Sequence, residues 1–128
     1  MFIKEPESPI YALEGSDVAF QWVYSEVNKT IDLRFVLWRV LNKTTGRDHV
    51  MIQEAVDGTV TINPNLAAQY RDRVEKKKPA TLVVKGVTDE DSTVFSCLLM
   101  STQGTPSNVE SRIQLVVTGN YFVHFVNE

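Results

Sequence analysis

The chain is poor in the residues that most chemistry needs. One cysteine, Cys97, occurs in 128 residues, which excludes an internal disulfide and any multi-cysteine zinc site. The two histidines, His49 and His124, stand far apart in sequence and supply no metal cluster. Thirteen basic against sixteen acidic residues give a formal net charge of -3, so the excess positive field that holds a nucleic-acid backbone is lacking. No apolar run approaches the ~20 residues needed to span a bilayer, and the N-terminal MFIKEPESPI lacks the basic start and long apolar stretch of a signal peptide. Residues 1–128 are therefore expected to be part of a longer chain. Helical periodicity is scarce too. Only NPNLAAQYRDRV, at 63–74, offers a stripe, made of Leu66, Tyr70 and Val74, and about one turn of helix is expected there. Catalytic signatures are absent, so the chain is not expected to be an enzyme, and no cofactor is expected.

What is present is alternation. Period-2 patterning recurs in short pieces between turn-rich clusters, the signature of half-buried strands. Strands are expected at 10–13, in DVAFQWVYS (17–25) and in IDLRFVLWRVL (31–41). Others follow at 49–53, 59–62, RVEKK (73–77), ATLVVKGV (80–87), TVFSCLLMS (93–101) and ESRIQLVVT (110–118). Gly104-Thr105-Pro106 reads as the hairpin turn between the last two. About nine strands at this spacing predict an all-β sandwich of two antiparallel sheets in one domain. Residues 1–118 are expected to form that domain. The tail GNYFVHFVNE (119–128) reads as a linker or the start of a following domain, or else as an extension of the last strand.

Lone Cys97 ends the stretch DEDSTVFSC, and there the sequence resembles the variable-type (V-set) domains of the immunoglobulin superfamily. In that family an aspartate, a small residue, a tyrosine and a cysteine alternate into strand F; here Asp91, Thr93, Phe95 and Cys97 hold those positions. The resemblance covers most of the chain. It implies that Trp38 packs at the sandwich centre, that Arg73 pairs with Asp91, and that Leu82, Val84 and Val87 belong to the core. It also places Trp22, about 75 positions before Cys97, where the first cysteine of the family's bridge is expected. A disulfide closing such a loop stabilises by roughly 2–5 kcal/mol. A buried tryptophan removes about 150–250 Å² from water, of order 4–6 kcal/mol at roughly 25 cal/mol per Å². Trp22, near Trp38 and with Cys97 as a small apolar neighbour, is thus expected to take over the missing bridge's role. Cys97 is then buried and unreactive. Phe95 lacks the hydroxyl that the family's tyrosine uses to bond back to the backbone.

If Trp38 and Cys97 point inward, alternation turns Phe35, Leu37 and Arg39 outward on one strand and Ser96, Leu98 and Met100 on the next. Arg112, Gln114 and Val116 follow on the last strand, with Met51 or Ile52 extending the patch. Phe35, Leu37, Arg39, Met51, Leu98, Met100, Gln114 and Val116 are the expected binding face. Its apolar members make a surface that a monomer usually avoids. A one-residue slip would instead put them in the core. Asp89 and Glu90 are expected in solvent. The lysines of EKKK (75–78) suit an edge strand kept from pairing with other chains. Asn28-Lys29-Thr30 and Asn42-Lys43-Thr44 fit the N-glycosylation pattern, which favours an extracellular setting.

The resemblance implies a cell-surface recognition domain of a single-pass membrane protein. It would bind a protein, another copy of itself, in trans, with neither nucleic acid nor direct membrane contact. The run FQWVYS…LRFVLWRV, with tryptophan at the first cysteine site, is most similar to hydrozoan allorecognition receptors. Missing bridges also occur in the amino-terminal domains of carcinoembryonic-antigen adhesion molecules. Two other readings stay open: a structural spacer domain, and a heterophilic module that binds carbohydrate or another ligand through its loops.

Overall fold

The computed structural model describes residues 2–24, 33–66, 68–101 and 108–119. The Asn28 triplet, the Gly104-Thr105-Pro106 turn and the tail from residue 120 lie outside them. Among the described residues, ten strands build two sheets. β1 (Phe2–Lys4), β3 (Val18–Tyr24), β8 (Ala80–Val84) and β7 (Val74–Lys77) form a four-stranded sheet in the order β1-β3-β8-β7. The six-stranded sheet has the order β2-β10-β9-β4-β5-β6, with β2 at Ile10–Leu13, β4 at Leu33–Asn42 and β5 at Arg47–Ala55. β6 is Val60–Ile62, β9 is Val94–Ser101 and β10 is Val109–Thr118. No described residue is in an α-helix; a single 3-10 turn, Asp89–Asp91, leads into β9.

The tenth strand, β1, is a piece that alternation does not reveal, because Phe2–Lys4 is too short to show a period. It pairs with β3 in one sheet, whereas β2 runs parallel to β10 in the other. Between them lie Pro6 and Pro9, which have no N–H to offer a ladder, so the chain can leave one sheet and join the next. The described residues of the 63–73 segment form no helix, yet Leu66, Tyr70 and Val74 are all buried. Their spacing records a shared inward direction, not a helical backbone.

The core sits where the inward faces meet. Val18, Phe20 and Trp22 alternate inward from β3, Val36, Trp38 and Val40 from β4, Phe95, Cys97 and Leu99 from β9, and Ile113, Leu115 and Val117 from β10. This is the register that alternation predicts, without a slip. The central strand β8 is buried on both faces, so ATLVV shows no exposed side, and its one polar residue, Thr81, is buried too. At the far end the β4–β5 hairpin turns on Asn42, whose Oδ1 accepts the Thr44 N–H at 2.9 Å and the Thr45 N–H at 3.2 Å. Gly46, at φ 73°, completes the turn, a backbone state that glycine adopts without steric cost.

Candidate binding face

Two indoles fasten the sheets. Trp22, on the four-stranded sheet, and Trp38, on the six-stranded one, are each fully buried. The Trp22 Nε1–H donates across the interface to Ser111 Oγ on β10 at 2.9 Å. The Trp38 Nε1–H donates the other way, to the Ala80 carbonyl on β8 at 3.4 Å. Ala80 is the register partner of Trp22, and Ser111 that of Cys97, which in turn pairs with Trp38. Each indole therefore bonds to the row that carries the other. The ring stacked on Trp22 is Phe20, with centroids 5.8 Å apart, rather than Trp38. Phe95, lacking a hydroxyl, packs against Phe20 at 4.9 Å and takes the edge of Tyr70 at 6.2 Å.

A polar pin closes one end. Asp91, fully buried, accepts Arg73 Nη2 at 2.5 Å and the Thr88 N–H at 2.8 Å. Arg73 also donates to the carbonyls of Lys85, Gln69 and Gly86 at 2.9, 2.5 and 3.2 Å. Asp89 and Glu90 stay exposed. Of the lysine run, Lys76 departs from a solvated edge: its ammonium meets Glu54 of the opposite sheet at 3.1 Å.

Cys97 is a free, buried thiol, and burial pushes its pKa up. Tyr70 is also raised, by burial first and by the neighbouring Asp91 carboxylate second. Both groups thus keep their protons in the folded chain when the unfolded chain has begun to lose them, from ordinary values of 9.0 and 10.0. The unfolded state then binds fewer protons, so stability is intact below pH 9 and falls as pH rises. The expected slope is up to about 1.4 kcal/mol per pH unit per group. Urea midpoints measured from pH 8 to 10 should show this loss, and Cys97→Ala should flatten its onset; a midpoint that is level across this range would contradict it.

The outward face of the six-stranded sheet holds most of the residues that the sequence assigns to binding. Phe35, Arg39, Leu98, Met100, Gln114 and Val116 are all half-buried there. Leu37 has the same orientation but is only 9% exposed, lying between its register partners Gln53 and Leu98. Met51 is not on this face. Pairing steps from Trp38–Ile52 to Arg39–Val50 and skips Met51. An extra residue of this kind breaks alternation, and both Met51 and Ile52 end in the core. The most exposed large apolar side chains lie at the periphery instead. Tyr11 (70%) and Leu13 (58%) are on edge strand β2, Val60 and Ile62 on edge strand β6, and Val56 (76%) in the turn before it.

At the middle of the face stands a mixed ionic group that the sequence reading missed in part. Arg112 Nη1 lies 2.9 Å from Asp48 Oδ2 and 3.4 Å from Glu110 Oε2. Arg39 Nη2 pairs with Glu110 and lies 3.9 Å from Asp48. Arg39 and Arg112 follow from alternation; Asp48 and Glu110 are recognisable only once strand pairing brings them alongside. Fully buried Ser96 pairs with Arg39 on one side and Arg112 on the other. Elsewhere a cavity of about 440 Å³ opens beside the β4–β5 turn, lined by Leu41, Leu66 and Tyr70 and rimmed by His49 and the exposed Asn42. Among the described residues, no group of His, Cys, Asp and Glu side chains is placed to hold a metal ion.

No family model and no curated protein sequence matches the chain. Solved structures do. Murine CRIg is similar with a TM-score of 0.68 and 21% identity, over 92% of this chain and 97% of that one. The extracellular domain of the voltage-gated sodium channel beta4 subunit, whose parallel homodimers explain its role in cell–cell adhesion, gives 0.64 and 14%, over 88% and 92%. Murine CEACAM1b gives 0.62 and 16%, over 87% of this chain but 51% of that one. With ten strands in two sheets and a tryptophan-centred core, the chain has the fold of a variable-type immunoglobulin domain.

Proposed function

We propose that this domain is a cell-surface recognition module that binds a protein partner in trans, the partner being a second copy of itself. The carrying observation is the outward face of the six-stranded sheet, where Phe35, Leu98 and Met100 adjoin a neutral ionic centre. Aromatic, methionine and arginine side chains suit the middle of an interface, and an isologous dimer needs one self-complementary patch. The sodium channel beta4 domain, of the same fold, makes homodimers in adhesion, which supports this use of the scaffold. In this reading residues 1–118 are the recognition domain and 119–128 lead onward in the extracellular part of a single-pass receptor. The narrower likeness to hydrozoan allorecognition receptors supplies the biological setting.

Sedimentation across concentration tests the reading. The wild-type chain should dimerise reversibly, and Leu98→Asp or Phe35→Asp should abolish this, since a buried, unpaired carboxylate costs several kcal/mol. Beads displaying many copies raise the effective concentration and catch weak affinities. A wild-type chain that stays monomeric in solution and leaves beads dispersed overturns the homophilic reading and favours a spacer domain or a heterophilic module. Secretion from animal cells should add glycan mass at exposed Asn42, removed by Thr44→Ala; unmodified asparagines at both triplets would withdraw the support they give to an extracellular setting.

A further inference from the structure

The ionic group at the middle of the face is incompletely satisfied within one molecule. Four buried side-chain polar atoms among the described residues have no hydrogen-bond partner, and three of them are Arg39 Nε, Asp48 Oδ1 and Ser96 Oγ. All three belong to this one patch: Arg39 and Ser96 are register partners on β4 and β9, and Asp48, opposite Leu41 on neighbouring β5, lies 3.9 Å from the Arg39 guanidinium. A buried donor or acceptor left unpaired costs about 1–3 kcal/mol. The four charged side chains above Ser96 remain between 20% and 38% exposed, so they are within reach of a docking surface.

The group carries two cations and two anions and is net neutral. A patch of one sign suits a partner of the other sign, whereas a neutral mixed patch complements its own copy where a half-turn lays its cations over the other copy's anions. We infer that Arg39, Asp48, Glu110 and Arg112 re-pair across a two-fold axis between two copies of this domain, and that this exchange fixes the partner and its orientation. The inference rests on the homophilic reading above and adds which residues decide it. In the docked pair, Arg39 of each copy meets an acid of the other. Movement of the side chains then frees Arg39 Nε, Asp48 Oδ1 and Ser96 Oγ to find partners. Phe35, Leu98 and Met100 supply the apolar surface that adjoins the exchanged pairs on one side. Because a two-fold contact repeats every pair, one substitution changes two contacts.

Charge reversal tests this. Arg39→Glu leaves three acids and one base, and Glu110→Arg leaves three bases and one acid. Each variant alone should self-associate about a hundredfold or more weakly than wild type, since like charges brought together across an interface cost several kcal/mol. An equimolar mixture of the two should recover dimers, as heterodimers, in sedimentation and between two colours of beads. Arg39→Gln and Glu110→Gln, which introduce no opposing charge, should each weaken association less than the reversals do and recover only in part on mixing, because the mixed dimer keeps one of its two Arg39–acid contacts; they cover the case in which a reversal variant fails to fold. A wild type that dimerises while Arg39→Glu and Arg39→Gln leave its affinity unchanged overturns the ionic exchange and spares the homophilic reading. Folded reversal variants that stay monomeric when mixed overturn it equally. A wild type that is monomeric in both formats overturns the two together.

Discussion

Trp22→Ala is expected to remove about 3–5 kcal/mol of stability, the usual cost of emptying a large buried aromatic site. Set against the roughly 5–15 kcal/mol that holds a domain together, this leaves the fold marginal or lost. Two effects add. The indole is fully buried and stacked on Phe20, so its removal opens a hole between the sheets. Its N–H also satisfies Ser111 Oγ, which is then stranded in the core. Trp22→Phe separates them by keeping a ring and losing the donor, and should cost about 1–3 kcal/mol. Ser111→Ala added to Trp22→Phe should recover part of that loss, because neither end then carries an unpaired group. Urea unfolding of the four proteins measures the coupling. If Trp22→Ala unfolds at the wild-type midpoint, the indole is not what joins the layers.

Arg73→Ala is expected to be comparably severe, at about 3–5 kcal/mol. It leaves the fully buried Asp91 carboxylate with the Thr88 N–H but without its counter-charge. It also frees three carbonyls, of Gln69, Lys85 and Gly86, that the guanidinium now gathers. Arg73→Lys should recover less than half of the loss, since an ammonium keeps the charge but cannot direct planar donors at four acceptors. The two readouts are the unfolding midpoint and its slope with denaturant. Full recovery by lysine would mean that charge alone matters and that the carbonyl contacts are incidental.

Several parts of this architecture are legible in the sequence for a simple reason: a strand such as β3 is buried on one face and wet on the other. Val18, Phe20 and Trp22 against Ala19 and Gln21 give the direction of β3 outright. Asp91 and Arg73, 18 residues apart, are joined by the resemblance to a known motif rather than by spacing, and the contact is present. Met51 is misplaced because alternation assumes a regular ladder, and the step in the β4–β5 pairing inserts one residue that no local pattern announces. Direction is also not depth. Leu37 points outward as alternation requires, yet neighbouring strands cover it almost completely. Ser111 and the Asp48–Glu110 pair of acids are invisible for a third reason: their meaning lies in which strands become neighbours, and that is a property of the whole fold.

The reciprocal indole bonds have a mechanical consequence. A sulfur bridge between facing layers shields the loop it closes from extension, because a pull on the two ends cannot open a covalent staple. Here the layers are held by non-covalent interactions alone, the two indole bonds and the Lys76–Glu54 pair among them. Once they part under tension, the ~75 residues between Trp22 and Cys97 pay out as well, adding about 250 Å of reach at 3.3–3.6 Å per residue. A domain of this kind can lengthen greatly between two pulling surfaces and then close again without any redox chemistry.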